Sequence, residues 1–522
     1  MKRLPLLFLL CLWLSLTGFA QSNKYGNHYI TNFSQEDYNS GPQNYSIVQD
    51  QRGVIYVGNQ GMVMEYDGET WRQIKIANNS FVKSLAVSDD GVVYAGASGE
   101  FGYLKPDHSG DLKYHSLSRK IDSSFQDVYN IYTNGDIVYF SSYKYIFKYE
   151  KDSLVDIIFA DIGSFHFWDY LVDGTLYVTN YQEGLMELDG NKLVHSKGGD
   201  FYENKDIFLI LPYSEDQLLV GCQSAFFIYD PATGKSHSID ELGKGFRELN
   251  KYVSSVTVYG GLRLSDGNYL IHTIDDGIVV FDEDNGEKIY HYTDQNELLD
   301  NTVIDVYETR NENIWLGLNT GISKIEYNQP IKKFGKENGL KSIKVDLIRF
   351  QDKVFVATNV HSYQQLFNEN ELPYFEKLPE VSQGRKFLIF DDPYRNRMKL
   401  LLGSHSGIFD ITNPNNIFNI NEDRQDKLLK TNYLIQSEYH PERIYGGATG
   451  GFNSFKIKGN RWKFLGEDRN IEDNIKYLAE VNDSTIWVAT EINGYIKIVI
   501  RPNSIVEGSE YMNNLKLSYY DT

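Results

Sequence analysis

One pattern recurs along the whole chain and limits what it can fold into. In "ENIWLGLNTGISKIEY", residues 312–327, an aromatic-aliphatic run ends in a small residue, Gly317; a short polar loop and a second apolar run ending in Tyr327 follow. Eleven segments match it, with small anchors at Gly58, Gly96, Ser141, Thr179, Gly221, Thr273, Gly317, Ala357, Gly403, Gly446 and Ala489. Successive anchors lie 38 to 52 residues apart. That period is the period of four-stranded propeller blades, roughly 40 to 50 residues. A blade cannot bury both of its faces alone, so each repeat requires a neighbour on either side.

Within a repeat the order of elements is legible. "YSIVQDQRGVIYVGNQGMVMEYDGETWRQI", residues 45–74, alternates to Gln49, turns over Asp50–Gly53, runs through "VIYVG", loops at "NQ", continues as "MVMEYD", turns at Gly68 and ends in "WRQI". Asp90-Gly91, Asn134-Gly135, Asp173-Gly174 and Asp266-Gly267 stand at hairpin positions, where such pairs accept positive φ. The abundance of Tyr (39) and Phe (29) beside few Pro (12) agrees with pleated, half-buried strands. Apart from an N-terminal apolar segment, no stretch reads as helix. The expected fold is therefore all-β, four-stranded antiparallel propeller blades. The small anchors are expected where neighbouring sheets come closest, and Tyr56, Tyr94, Tyr177, Trp315 and Trp487 between blades.

At 522 residues the chain exceeds what one core serves, about 250 to 300 residues. Counting seven anchors through Gly317 places a first propeller at 21–335 and a second, incomplete one at 336–522; a single larger ring fits the same count. Residues 1–20, "MKRLPLLFLLCLWLSLTGFA", have a basic start, an apolar stretch, and Gly18 and Ala20 where a signal peptidase needs small residues, so export to the periplasm is expected. Cleavage there leaves Cys222 as the remaining cysteine, read as a small buried hydrophobe. Removing Lys2 and Arg3 takes the formal charge from −20 to −22, which disfavours direct binding of nucleic acid. No later stretch approaches the roughly 18 apolar residues that cross a bilayer.

The residues resemble a known family. "ITNFSQEDYNSGPQNYSIVQDQRGVIYVGNQGMVMEYDGETW" with "NNSFVKSLAVSDDGVVYAGASGEFGYLKPD" is similar to the periplasmic sensor region of the two-component regulator propeller proteins of Bacteroidetes-type bacteria. "ENIWLGLNTGISKIEY" and "STIWVATEINGYIKI" are its nearest repeats, and "YHYTDQNELLDNTVIDVYE" resembles the family's connector between blades. The resemblance implies two consecutive seven-bladed propellers, a β-sandwich with a triple-tyrosine motif, one membrane helix and a kinase or helix-turn-helix output, working as a homodimer. Eleven repeats fall short of fourteen, and "NLKLSYYDT" aligns with a connector, so a piece of a longer reading frame is expected, with membrane attachment only through a further C-terminal segment.

No catalytic or metal-binding constellation stands out: no H-E-x-x-H, no C-x-x-C, no paired histidines at metal spacing. "GSHSG" (403–407) has His405 where a nucleophile elbow needs Ser, and "DDPYRNR" (391–397) and "DEDNGE" (282–287) read as solvated turns rather than cation loops. No cofactor is expected. A ligand is expected on the face where the loop after each anchor meets the connector entering the innermost strand. That predicts a rim of Asn59, Gln60, Glu100, Tyr181, Gln223, Asp275 and Asp276 in the first propeller, with His166 and Trp168 near it, and Asn359, His361, His405 and Glu491 in the second. Aromatic faces beside amides and carboxylates suit a small polar molecule or an oligosaccharide. The leading expectation is a non-enzymatic sensing ectodomain that regulates transcription through a transmembrane protein. A secreted propeller enzyme acting on polysaccharide, a lyase or hydrolase, and a stand-alone interaction scaffold remain open beside it.

Overall fold

The computed structural model describes residues 26–121, 125–150, 153–159, 167–214, 216–336, 338–367, 373–420, 430–500 and 516–520. Among them lie eleven four-stranded antiparallel sheets, each a propeller blade. In the 46–75 blade the strands Ser46–Gln49, Ile55–Asn59, Met62–Tyr66 and Trp71–Lys75 follow the divisions read from the sequence. The hairpin glycines adopt the expected left-handed backbone, for example φ 85° at Gly91 and 94° at Gly267.

The chain divides into two compact units. The first, His28–Lys332, holds seven blades. Six are sequential, over 46–75, 82–116, 128–159, 167–195, 207–238 and 258–292. The seventh combines Val303–Glu308, Ile314–Leu318 and Ile322–Ile325 with the N-terminal strand Ile30–Phe33, which pairs antiparallel from Ile30 opposite Ile325 to Phe33 opposite Ile322. Hydrophobic clusters fill all seven interfaces, including the last against the first, where Trp315 and Ile322 pack on Tyr38, Ile47 and Val57. Fully burying a side chain of this size contributes about 1.5–3 kcal/mol. The second unit, Lys333–Thr522 with Asn27, holds four blades over 344–382, 384–419, 431–468 and 475–520, with three clusters between them.

Every anchor lies in the second strand of its blade. The packing reason holds at Gly58, Gly96, Gly317 and Gly403. A Cβ at Gly58 would stand 2.8 Å from the carbonyl oxygen of Val82, which opens the next innermost strand, and one at Gly317 would stand 2.7 Å from that of Asn44, in the connector just before the next innermost strand. Two anchors are one residue off. The register puts His272, rather than Thr273, and Gly447, rather than Gly446, opposite the first residue after the bulge of the innermost strand, and it is Gly447 that faces Ile475 of the next blade.

The expectation of no helix is corrected by Lys244–Val253. Phe246, Leu249 and Val253 recur at three and four residues, the spacing of one helical face. That face is buried against Phe226, Ile228 and Ile239, while Asn250 accepts the Phe226 amide at 2.8 Å. Cys222 is buried as expected, and loss of solvation pushes its thiol up to about 12.

Candidate functional site

A shared irregularity builds the site. In five blades of the first unit the innermost strand starts with a β-bulge, and the residue left out of the ladder is Lys83, Tyr129, Phe208, Tyr259 or Ile304. A bulge adds an unpaired residue and re-aims its side chain. All five line one cavity of about 580 Å³, to which every innermost strand of the unit contributes. In the two blades without a bulge, Tyr45 just before the strand and Trp168 within it take up the lining.

The lining aromatics form a collar. The Trp168 ring lies 6.3 Å from Tyr129 on one side and 6.3 Å from Tyr259 on the other, edge-on to both. Tyr129 also donates its hydroxyl to Asp127 at 3.0 Å, and Tyr45 donates to Gln43 at 2.5 Å. Lys83 places its ammonium 3.7 Å from the centre of the Tyr45 ring and 5.2 Å from that of Phe81. Burial lowers its pKa, and the charge of Asp127 offsets part of that.

One residue further along, a second ring of polar groups joins blade to blade. Asp305 accepts the Ile47 amide at 2.6 Å, Ser46 accepts the Leu85 amide at 3.1 Å, and Ser84 donates to the Val128 carbonyl at 2.8 Å. Asn130 donates to Asp169 at 2.6 Å, and His272 Nδ1 lies 3.0 Å from the Val303 carbonyl. Separation from bulk water raises Asp305 to about 7 and Asp169 to about 6, against the lowering effect of their hydrogen bonds. The same loss of solvation lowers His272 to about 4. The cavity thus combines apolar ring faces with carboxyl and amide groups, an arrangement that can hold a hydroxylated ring.

Of the rim residues predicted from sequence, Trp168 lines this cavity. The predicted face is where the loops meet, since Asn59 donates to the Gly41 and Gln43 carbonyls of the entering connector at 2.9 and 2.8 Å. Asn59 itself is fully buried and also donates to Asn44 and accepts from Ser40, so it ties the connector down. Glu100 is buried too, one oxygen accepting from Tyr114, Ser116 and Ser118 at 2.9, 2.6 and 2.9 Å. Gln60 and Tyr181 are exposed, and Gln223 reaches the Val256 carbonyl at 3.4 Å. Asp275 accepts from the Thr257 amide at 3.0 Å, whereas Asp276 accepts from the Tyr252 hydroxyl at 2.9 Å and faces His291 at 3.1 Å. His166 lies outside the described residues.

In the second unit, Asn359 accepts the Ile343 amide at 3.2 Å, His361 keeps a buried Nδ1 without a hydrogen-bond partner, and Glu491 bridges Asn474 at 2.6 Å and Lys476 at 2.9 Å. His405 follows the strand Arg397–Ser404 in a turn that leads into another strand, and its pKa is lowered by desolvation and by the nearby charges of Lys430 and Arg385. The Asp282 carboxylate caps its own turn through the Asp284 and Asn285 amides. Among the described residues no group of three His, Cys, Asp or Glu side chains converges on a cation-sized space, and no helix is long and apolar enough to cross a membrane.

Sequence reasoning missed the bulge residues because each is one ordinary side chain at a strand start. Their signal was the position just before the residue that pairs with the small anchor, which only the register reveals.

Among solved structures, the chain is similar to the extracellular domain of BT3049 from B. thetaiotaomicron, a protein described as a hybrid two-component system. The TM-score is 0.65 at 15% identity, over 91% of this chain and 66% of that one. The likeness is one of fold. The chain spans about two thirds of that domain. The extracellular domain of BT4673 from the same organism matches 94% of this chain and 70% of that one at 15% identity, and virginiamycin B lyase from Staphylococcus aureus matches 57% and 98% at 13%. Both have a TM-score of 0.44, too loose a superposition to bear on function. No family model matches the sequence, and no curated protein does.

Proposed function

We propose that this chain is the ligand-sensing part of a periplasmic signalling protein of the two-component regulator propeller family, and that it binds a small polar molecule or oligosaccharide in the cavity of the first unit. The observation that carries this reading is the collar itself: bulges in four blades bring Lys83, Tyr129, Phe208 and Tyr259, with Trp168 from the unbulged blade among them, around one space. Aromatic faces above amides and carboxyls are the chemistry that recognises a sugar ring. The repeat motifs and the fold shared with an extracellular domain support a sensor. The chain itself binds without turnover, residues 1–20 direct export, and the signal passes through a homodimer whose populations shift on binding.

Calorimetric titration of the exported chain with a panel of plant and host oligosaccharides tests this. Saturable binding with the sugar recovered unchanged is expected. Bond cleavage in the recovered sugar, or no heat from any of the panel, would overturn it.

A further inference from the structure

Lys83 departs from the other bulge residues of its unit. The corresponding positions carry Tyr129, Phe208, Tyr259 and Ile304, all of which fill space with apolar surface. A lysine there puts a charge where packing needs none. Among the described residues, its ammonium makes no hydrogen bond or ion pair; its contacts are the two rings of Tyr45 and Phe81. Asp127 acts on it through its charge only, and that carboxylate is engaged by the Tyr129 hydroxyl. Among the described residues Lys83 is also the one Lys or Arg lining the cavity, and burial holds His272, elsewhere in the lining, toward its neutral form. A half-buried cation over aromatic faces keeps donors free for an incoming acceptor.

The remaining lining fits the same guest. Asp169 and Asp305 would repel an anion if fully charged, yet both are held toward the neutral form, and they offer oxygens to hydroxyl donors. Trp168 between Tyr129 and Tyr259 offers faces to the C–H side of a pyranose. We propose that the cavity is selective for an anionic saccharide, with the carboxylate or sulfate ester of one sugar seated on Lys83 and its ring against the Tyr129–Trp168–Tyr259 collar. This rests on reading the cavity as the ligand site.

The test is calorimetry on the full chain with trigalacturonate, its neutral methyl ester and a sulfated unsaturated disaccharide of the chondroitin type. A charge-assisted hydrogen bond contributes about 1.5–3 kcal/mol, so at least one of the two acids should bind about tenfold or more tighter than the ester. Both acids carry a carboxylate, so a preference for trigalacturonate assigns the carboxylate, and a preference for the disaccharide alone assigns the sulfate ester of that acid. Lys83→Gln should bring that acid to within about twofold of the ester, and Lys83→Arg should keep the preference. Equal binding of acids and ester, or a preference that survives Lys83→Gln in a chain with an unchanged melting temperature, overturns the proposal while the cavity reading stands. Absence of binding by all three, and by neutral oligosaccharides as well, overturns both. Should Lys83→Gln fail to fold, the wild-type ratio of acid to ester decides alone.

Discussion

The two units use the same backbone device for different ends. All four blades of the second unit also open with a bulge, and there the residues left out of the ladder are Val345, Arg385, Asn432 and Lys476. In the first unit four of the five are apolar or aromatic, and they converge on one cavity. In the second, Lys476 pairs with Glu491 and Asn432 donates to Thr449 at 3.1 Å, so two of the four are engaged within their own blade. The next position along makes the same contrast. Asp305 and Asp346 both accept an amide from the following blade, at 2.6 and 2.8 Å, but Asp346 also faces Lys386 at 3.3 Å, whereas Asp305 forms no ion pair among the described residues. A repeat fixes where side chains are aimed; what they do there depends on the residue chosen blade by blade.

The strongest way to break this comparison is at ring closure. Gly317→Val would set a Cβ 2.7 Å from the Asn44 carbonyl, at the junction of the seventh blade with the first; Gly403→Val would meet Thr431 at 3.1 Å, within a softer contact. Overpacking of this kind costs about 1–3 kcal/mol. We expect Gly317→Val at the upper end and Gly403→Val at the lower, read as the shift in urea midpoint; equal shifts would mean that closing the first ring adds no rigidity.

A smaller effect separates the collars. Trp168→Ala should weaken oligosaccharide binding about tenfold, since one well-placed aromatic contributes on the order of 1–2 kcal/mol. Asn432→Ala, at a bulge of the second unit, should leave it within about twofold. A reversal would move the ligand site to the second unit.

The finest test uses pH. Asp305, raised from 3.8 to about 7, holds its proton in the folded chain after the unfolded chain has released it. The stability it contributes is therefore fully present below pH 4 and is lost as pH rises through 7. Asp305→Asn should flatten the fall in stability between pH 5 and pH 8 and gain most at pH 8. Asp346→Asn should instead lose about 0.5–1 kcal/mol at pH 8, because it breaks a partly exposed ion pair with Lys386. If both substitutions moved the urea midpoint in the same direction at pH 8, the two carboxylates would be equivalent and the contrast would fail.

Much of the fold could be read directly. Strand divisions in the 46–75 blade, the turn pairs and the second-strand place of all eleven anchors follow from local rules: alternation, positive φ at Gly, and a small residue where sheets approach. The helix Lys244–Val253 was legible in principle, through Phe246, Leu249 and Val253, but its polar remainder resembles a connector. The site was harder. Asn59 and Glu100 look like free polar groups in a loop, and nothing local tells that Gly41, Gln43 and Asn44, or Tyr114, Ser116 and Ser118, will consume their hydrogen bonds.

The sequence by itself determined the repeat, its period and the all-β class, because each blade is a local unit whose turns and alternation act over a few residues. Tertiary structure alone decided three things. The strand Ile30–Phe33 completes the seventh blade by pairing with Ile322–Ile325, some 290 residues away along the chain. One residue per bulge of the first unit becomes cavity lining. Asp305 becomes an acid raised to about 7, because the blades around it exclude water from its carboxyl.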